Sequence, residues 1–229
     1  MKSDLPKVLF PACERPIVEY VLDALDRVDV DRVLVVVGYR EDLVRETLAH
    51  RTKVEFISQT EQLGTGHAVM ICREKIADHE GPVLVLAGDS PMIQPSSLDQ
   101  LLQLYDQEQP AAILGTLLKE DPTGLGRIVR DTAGNFVGIV EQKDASEEQL
   151  GIKEVNMSTY VFDCQKLLSA LARLTNDNRQ REYYITDCPG ILRADGDDVR
   201  ALPVLQPCEA LSVNDRDELA IVEQELKKR

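Results

Sequence analysis

Apolar and polar segments alternate along this chain in a strand–helix rhythm. Residues 16–28 put Ile17, Tyr20, Val21, Ala24, Leu25 and Val28 on one stripe at helical spacing, which predicts an amphipathic helix. Residues 30–37 form a continuous run rich in valine that stops at Gly38, the pattern of a strand buried on both faces. The alternation continues with a helix at 41–50, a strand at 53–57, a helix at 68–76, a strand at 83–87, a helix at 96–107 and a strand at 111–118. Strands separated by helices imply an α/β fold with a mostly parallel sheet and right-handed crossovers. From Gly126 the pattern changes. Residues 127–130 and 136–141 flank a turn at 131–135 and read as a β-hairpin. A strand at 154–162, a helix at 165–174, helical character over 183–194, a strand at 199–204 and a charged helix at 215–228 complete the chain. With no repeat and no flexible linker, the reading is one domain over 1–229 with a small β-rich annex.

Composition narrows the classes of function. A chain of 229 residues is long enough for a substantial core. The formal net charge of −14 argues against a nucleic-acid partner, because phosphate backbones need a basic surface. It leaves room for a nucleotide, since a few lysines and a divalent ion create a local positive site. No segment reaches the roughly 20 apolar residues that span a bilayer. Cys13, Cys72, Cys164, Cys188 and Cys208 are scattered without a C-x-x-C pair, which fits reduced thiols and a cytoplasmic location. His50, His67 and His79 have no metal-ligand spacing.

Two polar junctions stand out. Glu61-Gln62-Leu63-Gly64-Thr65-Gly66-His67-Ala68 lies between a strand-like and a helix-like run, where backbone N–H groups are free to meet a ligand. The buried-strand pattern Val83-Leu84-Val85-Leu86-Ala87 ends in Gly88-Asp89-Ser90-Pro91. That puts a carboxylate just past the C-terminal end of a strand, where open α/β sheets bind ligands and metals.

Further runs give these junctions a context: Ser3-Asp4-Leu5-Pro6-Lys7-Val8-Leu9, Asp121-Pro122-Thr123-Gly124-Leu125-Gly126-Arg127-Ile128, Ile139-Val140-Glu141-Gln142-Lys143-Asp144-Ala145, Glu154-Val155-Asn156, Glu182-Tyr183-Tyr184-Ile185-Thr186-Asp187 and Val213-Asn214. In this order, across nearly the whole chain, they resemble the N-terminal uridylyltransferase domain of the bifunctional N-acetylglucosamine-1-phosphate uridylyltransferase / glucosamine-1-phosphate acetyltransferase family. The resemblance implies a Rossmann-like fold of the nucleotide-diphospho-sugar transferase type. It also implies attack of a sugar-1-phosphate oxygen on the α-phosphorus of UTP, with release of pyrophosphate. Asp89 and Asn214 then match the two protein ligands of Mg²⁺, and Lys7 the lysine that meets the nucleotide phosphates. Gln62, Gly64 and Thr65 match the positions that read uracil, with Gly88 beside them. Gly126, Glu141 and Asn156 match contacts to the sugar and its N-acetyl group, and Asn214 counts among the sugar-binding residues as well. Asn214 also fits the N-cap of the last helix, His67 reads as structural, and Tyr183-Tyr184 as packing rather than base stacking. A pyrophosphorylase for another sugar-1-phosphate or NTP stays open, as does a non-catalytic UDP-sugar-binding protein.

The chain also departs from the family pattern. Members begin with a strand and a Leu-Ala-Ala-Gly-x-Gly-Thr-Arg-Met stretch that forms the phosphate loop, and Met1 aligns with the last Met of that stretch. The expectation is that Met1 is internal to a longer natural chain, and that the chain as written lacks the strand, the loop and most turnover. The family's C-terminal β-helix has no counterpart here, so no acetyl transfer is expected. Ala87 replaces a common aromatic, and Met157-Ser158 replaces the usual Thr-Gly.

Overall fold

The computed structural model describes residues 4–228. In chain order, a short 3₁₀ turn at Lys7–Leu9 is followed by strands β1 (Pro11–Ala12) and β2 (Arg15–Pro16), helix α1 (Ile17–Arg27), β3 (Val33–Val37), α2 (Glu41–Thr47) and β4 (Val54–Ser58). Next come α3 (Thr65–Met70), α4 (Arg73–Ile76), β5 (Pro82–Leu86), α5 (Pro95–Glu108), β6 (Ala112–Leu118), β7 (Arg127–Arg130) and β8 (Phe136–Val140). The last elements are α6 (Glu147–Leu150), β9 (Glu154–Asp163), α7 (Cys164–Leu171), α8 (Asp187–Ala194), β10 (Val199–Leu202), a 3₁₀ turn at Pro207–Ala210 and α9 (Arg216–Leu226). They gather into two compact units. The first takes the chain up to Glu61, Ala87–Leu98 and everything from Gln206 onward; the second takes Gln62–Leu86 and Asp99–Leu205.

In the first unit β3 and β4 pair in parallel, Val33 opposite Val54 through Val37 opposite Ser58. Helix α1 buries Ile17, Val18, Val21, Leu22, Ala24 and Leu25, close to the expected stripe, whereas Tyr20 stays half-buried and donates its hydroxyl to the Ala12 carbonyl. A second apolar cluster joins Ala12, Ile17, Met92, Val213 and Val222, which ties the turn after β5 to the segment before α9. The run expected to be buried on both faces is not: in β3 only Val37 is buried. Among the described residues β3 has β4 as its single lateral partner, and a strand with one neighbour leaves its other edge accessible.

The second unit holds a six-stranded sheet in the order β10-β6-β9-β7-β8, with β5 on β9. The α/β class holds, with helices against a central sheet. The pairing inside this sheet is mixed: β10 and β6 are parallel, while β9 runs antiparallel to both β5 and β6. Alternation of strands and helices carries no information about a strand that inserts between two earlier ones. The hairpin formed as expected, β7 against β8. Residues 183–186, expected to be helical, are not; helix α8 starts at Asp187. The backbone of Tyr183 is engaged instead with the Gly64 loop, its N–H donating to Leu63 O at 2.8 Å and its carbonyl accepting from Gly66 N–H at 2.7 Å.

A cluster of ion pairs anchors α1 in the first unit. Arg51 donates to the buried Glu19, to Asp23 at 2.7 Å and to Asp26 at 2.8 Å. Burial opposes ionisation of Asp23, but its hydrogen bonds and charge contacts with Arg15 and Arg51 outweigh that and hold its carboxyl below the usual range. A depressed carboxyl contributes stability that is present above the ordinary aspartate range and is lost as pH falls through the folded-state value. Arg51→Ala leaves the Glu19 carboxylate buried without its main cation and is expected to cost about 3 kcal/mol at neutral pH. The deficit should shrink in acid as Asp23 protonates. Thermal unfolding of both proteins at neutral and acid pH checks this, and a deficit that does not change with pH would contradict it.

Candidate active site

Lys7, Asp89 and Asn214 come together in the first unit. The turn after β5 carries Asp89, and the segment leading into α9 carries Asn214. Lys7 Nζ donates to a carboxylate oxygen of Asp89 and, at 2.9 Å, to Asn214 Oδ1. A backbone bond from Val213 N–H to Asp89 O at 3.2 Å fixes the two segments side by side. Asn214 is not the cap of α9. Asp215 takes that role, accepting from the N–H groups of Asp217 and Glu218 at 2.9 and 2.8 Å. Asn214 N–H donates instead to Glu218 Oε2, and its Nδ2 donates to Ser212 Oγ at 3.2 Å. The lysine decides which end of the amide faces it: an ammonium only donates, so Oδ1 turns to Lys7 and Nδ2 to Ser212.

The ammonium of Lys7 stands where two oxygens, one anionic and one neutral, converge on a cation. Carboxylate and amide oxygens are the donor types a hard divalent ion takes, and a small ion bound by one or two protein oxygens completes its shell with water and phosphate. Among the described residues no three His, Cys, Asp or Glu side chains gather into a cluster that could hold a metal; Asp89 and Asn214 could offer an ion two oxygens. On chemistry and direction the pair fits a metal. Gly88 makes no demand on space here, since a Cβ would lie 3.6 Å from Val8 Cγ1, an ordinary contact.

The remaining residues singled out in the sequence lie in the second unit. Gly64 has φ +107°, and a Cβ there would come within 2.6 Å of the Tyr183 carbonyl oxygen, so only glycine fits. Thr65 Oγ1 accepts from Ile185 N–H at 3.2 Å. These bonds lace the loop to residues 183–185. Gln62 and Leu63 are exposed beside it. His67 lies 6.4 Å from the Tyr183 ring, tilted rather than stacked.

Gly126, Glu141 and Asn156 are neighbours. Asn156 N–H donates to Gly126 O at 2.9 Å, and a Cβ on Gly126 would lie 3.4 Å from Glu141 Oε1. Asn156 is buried, its Nδ2 donating to Tyr160 Oη at 2.7 Å, and burial pushes the Tyr160 phenol upward. The register of β9 shifts between Gly115 and Thr116, so Met157 and Ser158 bulge out directly after Asn156. Ser158 takes φ +51°, a conformation glycine adopts freely. Burial raises the Glu141 carboxyl; a hydrogen bond with Thr186 opposes the rise, and the charges of Asp187 and Asp144 add to it. Sequence reading assigned no role to Thr186, Asp187 or Ser212. The first two lie in the quoted Glu182–Asp187 run, so their position was visible there; Ser212 had no signal of its own.

The nucleotidyl transferase family pattern matches residues 2–202 of the chain. The Bifunctional protein GlmU of Limosilactobacillus reuteri is 40% identical over 229 residues, covering 100% of this chain and 50% of the relative. The protein of the same name from Brevibacillus brevis is 44% identical, covering 100% and 49%. The chain thus spans about half the length of the curated relatives it matches. Among solved structures, a UDP-glucose pyrophosphorylase complexed with UDP-glucose has a TM-score of 0.77 at 16% identity, covering 98% of this chain and 92% of that one. HddC from Yersinia pseudotuberculosis has a TM-score of 0.71 at 16% identity, covering 99% and 92%. At such identities the likeness is one of fold.

Two substitutions probe the second unit. Gly64→Ala forces a side chain into a positive φ and into the Tyr183 backbone, and is expected to destabilise by about 1–3 kcal/mol in denaturant unfolding. Glu141→Gln is expected to do the opposite at neutral pH. A carboxyl whose folded-state value is raised favours folding only while protonated, and that contribution is lost as pH rises through the folded-state value. Removing the charge should therefore hold or raise the melting temperature at neutral pH, with the gain vanishing in acid. A variant that melts well below wild type would show that the charge is satisfied in the fold.

Proposed function

Because the chain belongs to the nucleotidyl transferase family, we propose that it transfers the uridylyl group of UTP to N-acetylglucosamine-1-phosphate. The products are UDP-N-acetylglucosamine and pyrophosphate. Members of the family generally use a divalent metal. For this chain the metal is Mg²⁺, held by Asp89 and Asn214. The observation that carries the reading is the convergence of Asp89 and Asn214 oxygens on one cationic group. The nucleotidyl transferase family pattern over residues 2–202 supports the class of reaction.

The reaction needs no protein nucleophile. The sugar-phosphate oxygen attacks the α-phosphorus, and the β,γ-pyrophosphate leaves with the electrons of the broken bond. Both partners are anions, so the work of the protein is alignment and neutralisation of charge. When bound, Mg²⁺ supplies positive charge against the phosphates. Lys7 adds a second positive charge, and its unbranched stem lets the ammonium leave the two oxygens for a phosphate. Gln62 and Thr65 read the uracil edge, with Gly64 letting the backbone come close, and Gly88 is a further nucleotide-binding position. Gly126, Glu141 and Asn156 bind the sugar, and the raised carboxyl of Glu141 suits a group that accepts from sugar hydroxyls.

No helix among the described residues is long and apolar enough to cross a membrane. Five unpaired cysteines support placing the protein in the cytoplasm as part of the same proposal. It also includes a single nucleotidyltransferase domain over 1–229.

Pyrophosphate release is the test, measured on the protein as its gene encodes it, across pairs of NTP and sugar-1-phosphate, with and without Mg²⁺. UTP with N-acetylglucosamine-1-phosphate should be the best pair. Asp89→Ala should lower turnover at least about 100-fold while the protein stays folded. Glu141→Ala should act mainly by raising KM for the sugar phosphate. A wild-type rate from Asp89→Ala, or a better rate with another pair, would overturn the assignment.

A further inference from the structure

Glu209 is 3% exposed and sits at neither of the clusters described above. Its carboxylate accepts from Gln94 N–H at 3.0 Å, from Ser97 Oγ at 2.7 Å and from Gln206 N–H at 2.7 Å. Gln94 ends the turn that follows Asp89, and Ser97 lies in the first turn of α5. Gln206 and Glu209 itself precede Asn214 on the segment that leads into α9. One buried carboxylate therefore joins the two stretches of chain that carry the metal-ligand pair. Two other ties run alongside it, the Val213 N–H bond to Asp89 O at 3.2 Å and the apolar contact of Met92 with Val213, both fully buried.

From this geometry we propose that Glu209 is a positioning residue that holds Asp89 and Asn214 at the separation a divalent cation requires. The proposal rests on reading those two residues as the ligands. The chemistry favours an acid at this position. Two backbone N–H groups and a hydroxyl point at the side chain, and a carboxylate accepts on both oxygens. A glutamine offers one oxygen to these two N–H groups, so it loses either the Gln94 tie between the two segments or the Gln206 bond that fixes its own segment. The negative charge also lies at the N-terminal end of α5, where the helix dipole favours it. Leaving a buried donor unmatched is costly enough that the segments would move rather than keep the contact.

The test measures Mn²⁺ binding to the full chain by electron paramagnetic resonance, with metal as the only ligand, for wild type and for Asp89→Asn, Glu209→Gln and Ser97→Ala. Asp89→Asn should lose the site. Glu209→Gln should raise the Mn²⁺ dissociation constant by about tenfold, and Ser97→Ala by about threefold, the scale seen when groups that orient metal ligands are removed. The dissociation constant is decisive because a purely structural role lowers the number of folded molecules, not the affinity of each one. If Asp89→Asn loses Mn²⁺ while folded Glu209→Gln and Ser97→Ala bind with wild-type affinity, the ligand assignment stands and the role of Glu209 falls. If Asp89→Asn binds as well as wild type, the ligand assignment fails and the proposal with it. Should Glu209→Gln not fold, Ser97→Ala decides alone: raised constant in support, unchanged constant against.

Discussion

Convergence of two oxygens on one cation is the constraint from which the first unit can be understood. Asp89 and Asn214 are far apart in sequence, and their side chains meet only because the backbone between Val213 and Asp89 is bonded and the apolar residues around them share one core. An anionic and a neutral oxygen brought together need a positive charge between them. Lys7 provides it in this structure, and a divalent ion is the natural alternative. Much of the surrounding polar detail serves this arrangement. Asp215 caps α9 in place of Asn214, and Ser212 accepts from the amide NH₂ while the amide oxygen meets Lys7.

The second unit works on a different principle. The positions proposed to face a ligand there are set largely by backbone. Gly64 and Gly66 admit the Tyr183 carbonyl at close range, and a bulge in β9 follows Asn156. The half-buried Glu141 has its carboxyl raised by burial and by Asp187 and Asp144, with a threonine hydroxyl as its partner. A carboxyl in such surroundings suits the binding role proposed for it.

The family pattern makes the chain a member of the nucleotidyl transferases, and relatives 40–44% identical match its full length. The sugar is a separate question, and in this chain it turns on a few residues. Ser158 lies in a backbone conformation that glycine adopts freely, directly beyond Asn156 in the bulge. A hydroxyl there adds a polar group next to the residues proposed to bind the sugar, so under that proposal the choice of sugar phosphate depends on local side chains that the fold does not dictate.

Hydrophobic periodicity alone was enough for α1, α5, β6 and the β7–β8 hairpin, because each buries apolar residues at its own repeat; β5 was legible as a strand, although its residues are half-buried rather than buried as expected. The Gly64 loop, the Gly88-Asp89 end of β5 and the quoted runs were likewise legible, since each pairs a special backbone need with a polar residue type. Three things were not. The antiparallel insertion of β9 depends on pairing between segments distant in the chain, to which local pattern is blind. Residues 183–186 have helical spacing but are held in a loop by backbone bonds to Leu63 and Gly66, which outweigh weak local propensity. Asn214 and Asp215 are both good caps by type. Only the packed structure decided that the aspartate caps the helix and the asparagine turns to the lysine, because that choice depends on what lies opposite each side chain, and the sequence does not record it.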